Sequence, residues 1–296
     1  MSNPNKLLAS AGAEWLLNGF ALLRKAPLAL GMLGVLWGVA SLLVVALGSQ
    51  LPVLFMALQL LLVLAGPLFF GAMIWAVREV DQGRRAHPAH LLQPIRDGHA
   101  PALLATLLPQ VVAALVLGGL LFAMIGSDQL KHLADVWLQM QAIAEAGGQP
   151  DPSLVEGLPA GRLLLWFALV IATFVAIKWM TFIAAPQILF DGVPAWTAMR
   201  NSLRACLHNW PAMLVFYLLA GIAIFVTMMG TFMLALVLQL AVGAALAMML
   251  WQLLLLAVLM PLLAGAMYAA WRQMLGRPDV VAPGVVAPSA PSHFEA

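Results

Sequence analysis

Long apolar stretches separated by short polar interruptions dominate the chain, and residues 26–77, 98–127 and 205–271 contain no Asp, Glu, Lys or Arg. A helix crossing a hydrocarbon core of roughly 30 Å needs about 20 residues at about 1.5 Å each, so the first stretch holds two spans. The pattern predicts spans at 28–48 and 52–77, joined by the turn Gly48-Ser49-Gln50-Leu51-Pro52, then 102–126 and 163–189, and finally 211–235 and 245–271. The last block is long enough for two generous or three short helices. Two keep the next basic residues, Arg272 and Arg277, on the same side as the other cations.

Amphipathic periodicity appears only outside these stretches. Over 195–210, Trp196, Met199, Leu203, Cys206 or Leu207, and Trp210 share one face, while Arg200, Arg204 and His208 recur every four residues on the other. That pattern predicts an interfacial helix, its arginines reaching lipid phosphates. Residues 5–25 predict a weaker one, anchored by Leu8, Trp15, Phe20 and Leu23. The insertion 127–161 begins Ser127-Asp128, a helix-start pattern, and carries Leu130, Leu133, Trp137, Met140 and Ala144 at helical spacing. It predicts one amphipathic helix of about five turns, lying on the outer membrane surface or over the bundle as a lid. Residues 277–296, rich in Pro, Ala, Ser and Val without periodicity, predict a disordered tail.

Composition sharpens this picture. Of 296 residues, 64% are apolar and 9% charged, where a soluble domain carries about 25% charged residues. Mean hydropathy is +0.98. The expected fold is therefore an all-α polytopic bundle of six transmembrane helices in three hairpins, residues 1–276, with cytoplasmic interfacial helices and one periplasmic amphipathic helix. Lys6, Arg24, Lys25, Arg78, Arg84, Arg85, Arg96, Arg200, Arg204, Arg272 and Arg277 fall on one side and only Lys131 and Arg162 on the other. The positive-inside rule then places both termini in the cytoplasm. A net charge of +2 is too small and too dispersed for nucleic-acid binding. The single cysteine, Cys206, excludes paired-thiol chemistry.

An internal similarity accompanies the spans. Residues 67–78 and 261–272 share Pro, Leu, Gly, Ala, Met, Ala and Arg at matching positions, from Pro67 and Pro261 to Arg78 and Arg272. Each ends an inward-going span, and the preceding outward spans open at Pro27 and Pro211. This suggests a repeated hairpin, which by itself names no function.

Candidate chemistry is sparse. Lys178 is the only formally charged residue inside an expected span, so it should face the bundle, a wet cavity or the interface. Its prospective partners are Thr181, Gln239, Gln252, carbonyls freed near Pro186, or an anionic ligand; snorkelling is the simpler alternative. The absence of an acidic residue in any span argues against a proton relay. His87, His90, His99 and Asp97 share one loop, but Pro88, Pro94 and Pro101 break any helix that would present them together, so no metal site is expected. Hydrolase, zinc-protease and nucleotide-binding motifs do not occur, and no catalytic residue or cofactor is expected. Gly34 with Gly38, and Gly265 with Ala269, are small-residue pairs suited to close helix packing.

The stretch from Pro186 through Asp191-Gly192, Ala198-Met199-Arg200-Asn201-Ser202-Leu203-Arg204 and Asn209-Trp210-Pro211 resembles a motif of a group of bacterial six-span inner-membrane proteins, which includes YciC-like proteins and the membrane domain attached to some glycerophosphodiester phosphodiesterases. The opening Glu14-Trp15-Leu16-Leu17-Asn18-Gly19-Phe20 through Arg24-Lys25-Ala26-Pro27 resembles the start of such proteins. The resemblance implies a bacterial inner-membrane location and adds no catalytic residue. The expected function is non-enzymatic binding or transport of a small amphiphilic or anionic molecule or lipid, with Lys178, Arg200 and Arg204 as candidate contacts. Membrane lipids are the expected partners, with a small-molecule ligand, a second copy or another membrane protein in addition. The alternative is a structural or partner-binding subunit that supports envelope organisation.

Overall fold

The computed structural model describes residues 4–48, 51–149 and 157–276; the expected disordered tail lies outside the described residues. Every described element is helical: α1 (Ala11–Lys25), α2 (Pro27–Gly48), α3 (Pro52–Asp81), a 3-10 turn at Pro88–Leu92, α4 (Gln93–Arg96), α5 (Ala100–Ala105), α6 (Leu108–Ile125), α7 (Ser127–Glu145), α8 (Ala160–Thr181), α9 (Ala184–Asp191), α10 (Ala195–His208), α11 (Trp210–Val242) and α12 (Ala244–Met274). Among the described residues, six segments are long and apolar enough to cross a membrane: Pro27–Gly48, Val53–Asp81, Ala100–Ile125, Ala160–Asp191, Trp210–Val242 and Ala244–Met274. The chain is a multi-pass membrane protein with an all-α fold.

Local chemistry sets many of the boundaries. Pro27, Pro52, Pro101 and Pro211 sit in the first turn of their helices, where a missing N–H removes no ladder bond. The apolar block 210–271 divides into two membrane helices at a single residue, Gly243, whose backbone (φ 83°, ψ 160°) is open essentially to glycine alone. Gly126 adopts the same conformation between α6 and α7.

Four long helices, α2, α3, α11 and α12, form the core, with α12 packed against the other three. Gly34 permits a close backbone crossing there: a Cβ at Gly34 would lie 2.4 Å from the Leu256 carbonyl oxygen. The Gly34/Gly38 pair thus serves packing within one chain.

Helix α1 is more than a surface anchor. Its Ala11, Gly12, Trp15, Leu16, Gly19 and Leu22 are buried in the angle between α11 and α12. Trp15 is 0% exposed, and its indole N–H donates to Gln273 Oε1 at 2.8 Å. The glycines make this possible, since a Cβ on Gly12 would meet the Ala212 carbonyl oxygen at 2.1 Å and one on Gly19 the Leu262 carbonyl oxygen at 2.4 Å. The segment before α1 is clipped in place by buried Asn209, whose Oδ1 accepts from the Leu7 N–H (2.8 Å) while its Nδ2 donates to the Asn5 carbonyl (2.9 Å).

The middle hairpin departs from a simple bundle. Helices α6 and α8 pack on each other, joined by Trp166 Nε1 donating to the Leu117 carbonyl and Arg162 to the Met124 carbonyl, both at 3.0 Å. Along the membrane, α8 buries no residue and α6 buries only Ile125. Both spans are broken near the end of the bundle where α1 meets the last turns of α12, at Thr106-Leu107 and at Phe182-Ile183. The short helices α5 and α9 below the breaks belong to the core. Leu103 of α5 and Leu189 of α9 converge on Gly71 of α3, where an added Cβ would lie 2.9 Å from the first and 3.5 Å from the second.

At the far end, α7 runs 19 residues and buries only Val136. Leu130, Leu133 and Ile143 are half-covered beside it, whereas Trp137 and Met140 of the expected stripe stay exposed. The packed face is rotated part of a turn from the one the periodicity indicates.

Candidate functional site

The break in the fourth span follows from Pro186, which cannot sit inside a helix without leaving the carbonyl four residues back, Phe182, unbonded. The chain interrupts the helix and restarts it with Pro186 in the first turn of α9. In a membrane every freed backbone group needs a partner. Ser202 of α10 serves the pair that the break opens beside Phe182: its hydroxyl accepts from the Ile183 N–H (3.1 Å) and donates to the Trp179 carbonyl (2.6 Å), inserting itself into the missing bond between those two residues. Gln187, 1% exposed, completes the seam, with its Nε2 on the Ile183 and Ala198 carbonyls and its Oε1 accepting from Asn201 Nδ2. Within 186–211, Gln187, Asn201, Ser202 and Asn209 thus act as structural knots. Their signal in the sequence was polar residues on an otherwise apolar helix face.

Around the seam, aromatic rings bolt α9 to the core. Phe190 lies 5.6 Å from Trp75 and 5.3 Å from Trp271, and the Arg78 guanidinium stands 4.5 Å above the Phe190 ring. Trp271 Nε1 donates to Asp191 (3.2 Å), and Asp81 accepts from both Arg272 (2.7 Å) and the Tyr268 hydroxyl (3.2 Å). Phe182 packs on Trp15 and Phe216, joining the break to α1 and α11.

Lys178 stands in the last turn of α8, exposed, its Nζ 5.1 Å from the Phe174 ring centroid. It ends a line of exposed residues, Leu164, Phe167, Ile171 and Phe174, which at helical spacing share its face and are 54% to 70% exposed. That face is uncovered by protein, so Lys178 does not point into the packed interior. None of the protein partners expected for it is engaged: Thr181 donates its hydroxyl to the Ile177 and Lys178 carbonyls, and no ion pair joins Lys178 to another group among the described residues.

Helix α10 has two working faces. Ala198, Met199, Ser202, Ala205, Cys206 and Asn209 are buried against protein. Arg200 and Arg204 lie nearly opposite and are exposed, with Trp196, Leu203 and Leu207 along one flank. The expected apolar stripe is therefore divided: Met199 and Cys206 pack inward, and Trp196 and Leu207 face out. Although α8 and α10 touch through Ser202 and Trp179, the arginines point away from that contact, and Lys178, Arg200 and Arg204 do not converge on one pocket. Burial pushes the Cys206 thiol up to about 12, opposed by its hydrogen bond with Ser202, so it stays protonated and inert at neutral pH.

In the loop before α5, His87 and His90 cap the 3-10 turn, His90 Nδ1 accepting from the His87 N–H and His87 Nδ1 from the Ala89 N–H, while Asp97 accepts from Gln93. No group of three or more His, Cys, Asp or Glu is placed to hold a metal among the described residues. No protein-family model, curated protein or solved structure matches the chain.

Proposed function

We propose that this chain is a multi-pass protein of a bacterial inner membrane, termini in the cytoplasm, that holds an anionic amphiphile such as a phospholipid without covalent chemistry. The observation that carries this reading is the exposed line of α8: four large apolar side chains over about three turns, closed by a cation with no acidic partner among the described residues. Acyl chains fit the apolar part and a phosphate or carboxylate the ammonium, which is costly in hydrocarbon unless an anion or the interface receives it. Arg200 and Arg204 add two exposed cations on the neighbouring α10, each worth about 1 kcal/mol near an anionic leaflet. The basic residues gathered at the ends of α3, α10 and α12 support the orientation.

The test is native mass spectrometry of the protein purified in mild detergent, wild type beside Lys178→Gln. An anionic phospholipid adduct in the wild type, reduced severalfold in the variant at equal thermal stability, supports the reading; equal adducts in both, or none in either, defeat it. A second reading, a partner-binding subunit, draws on the exposed flank of α6, where Val111, Val112, Leu115, Val116 and Phe122 are each more than half exposed. A protein-bound species without lipid in the same spectra would favour it.

A further inference from the structure

We propose that α6 and α8 form a hinged arm that swings as one body against the four-helix core, about paired pivots at Thr106-Leu107 and Phe182-Ile183. The inference stands on the mounting of the hairpin and is independent of what the α8 face binds.

Three observations carry it. The first is that both membrane crossings of one hairpin are broken at the same level. Measured from the pivots, α6 is 18 residues long and α8 is 22, about 27 and 33 Å, a difference of roughly one turn. Each break has its own proline, Pro109 in the first turn of α6 and Pro186 in that of α9, and each replaces continuous ladder bonds by softer ones. At the first pivot, Thr106 and Leu107 donate to Leu103 and Leu104, three residues back. The second is spanned by the Ser202 hydroxyl, two hydrogen bonds in series that tolerate rotation better than one direct bond. Two breaks at one level define a hinge axis; a single break would only kink a helix.

The second observation is a sharp change in anchoring across the pivots. Below them, Leu103 and Leu189 close on Gly71, and Phe182 and Phe190 sit among Trp15, Phe216, Trp75 and Trp271. Above them, α6 and α8 pack on each other, and α8, burying no residue along its length, meets the rest of the protein through α10 at Trp179, in its last turn beside the pivot. The third is that the arm is internally tied at two levels, by the bonds from Trp166 and Arg162 to carbonyls of α6, so it moves as a unit. Pro67 and Pro261 provide the contrast: α3 and α12 run through them without interruption, even though the outward half of α3, residues 53–66, buries no residue. Proline makes a hinge here only where it stands beside an interrupted helix whose far side is little packed.

A swing of about 20° about these pivots moves the tip of a 27 Å arm by roughly 9 Å. The experiment is double electron–electron resonance in lipid nanodiscs on a Cys206→Ser background. Spin labels at Phe122→Cys on the arm and Leu240→Cys on α11 report the swing, and labels at Val111→Cys and Leu164→Cys report the arm itself; all four sites are exposed. The arm-to-core distribution is expected to be broad or two-peaked, spread over several ångströms or more, while the pair within the arm stays narrow. Adding Pro109→Ala and Pro186→Ala, which restore the ladder N–H groups, should collapse the arm-to-core distribution to one narrow peak. A single narrow arm-to-core peak without the proline changes, or equal broadening within the arm, overturns the proposal, and both are read on protein that keeps its prolines.

Discussion

Replacing Gly19 by alanine discriminates between two places for α1, because the two arrangements predict opposite signs. In the structure a Cβ at Gly19 would lie 2.4 Å from the Leu262 carbonyl oxygen and 3.0 Å from the Ala266 nitrogen, where ordinary contact begins at 3.4 Å. Both atoms are backbone, so no side chain can turn aside, and α1 must retreat by about 1 Å. A gap of that size forfeits about a quarter to a half of each dispersion contact along the Ala11, Trp15 and Leu22 face. Overpacking of this kind costs about 1–3 kcal/mol. Were α1 an amphipathic helix lying on the lipid surface, the same substitution would stabilise it by about 0.8–1 kcal/mol through helix propensity alone. Unfolding in mixed micelles of non-ionic detergent and dodecyl sulfate measures the difference, with protection of Cys206 from a thiol reagent as the readout. That thiol is buried and is the only one in the chain. A Gly19→Ala protein as stable as wild type, or more so, refutes the threaded arrangement; Gly12→Ala, with its Cβ 2.1 Å from the Ala212 carbonyl oxygen, should destabilise at least as much.

Other outcomes follow from the polar seams. Ser202→Ala strands the Ile183 N–H and the Trp179 carbonyl, at a cost of about 1–3 kcal/mol and with faster Cys206 labelling in native conditions; unchanged labelling would deny the inserted hydroxyl its role. Asp81→Asn should cost about 1.5–3 kcal/mol, since the carboxylate accepts from both Arg272 and Tyr268 with its side chain 13% exposed. A double-mutant cycle with Arg272→Gln should show coupling, and strict additivity would refute the pairing. Asn209→Ala frees the segment before α1, so the Leu7 amide should exchange with solvent far faster by hydrogen–deuterium exchange while the core helices stay protected. With its thiol held near 12, Cys206 in the folded protein should show little gain in labelling between pH 7 and 9, whereas an exposed cysteine would gain steeply as its thiolate forms.

The six apolar crossings and the amphipathic α10 were legible in the sequence because both are local properties: stretches free of charge fix where a chain can cross a bilayer, and arginines four apart fix a helix face. The five-turn α7 was legible for the same reason. Which face of each crossing packs on protein was not, because lipid tails are as apolar as leucine and both faces of a span carry the same residues. Periodicity that orients a helix in water is therefore silent here. That is why the isolation of α6 and α8, and the outward aim of Lys178 along Leu164, Phe167, Ile171 and Phe174, emerged only from the assembled structure. Proline positions were visible too, but not their consequence: Pro109 and Pro186 break their spans while Pro67 and Pro261 ride inside continuous helices. The difference at Pro186 lies in Ser202, brought from another helix to bond the freed backbone. Likewise Gly12 and Gly19 are unremarkable in the sequence of an amphipathic helix and become indispensable only once α11 and α12 close around them, because close backbone approach is a relation between helices that no single segment encodes.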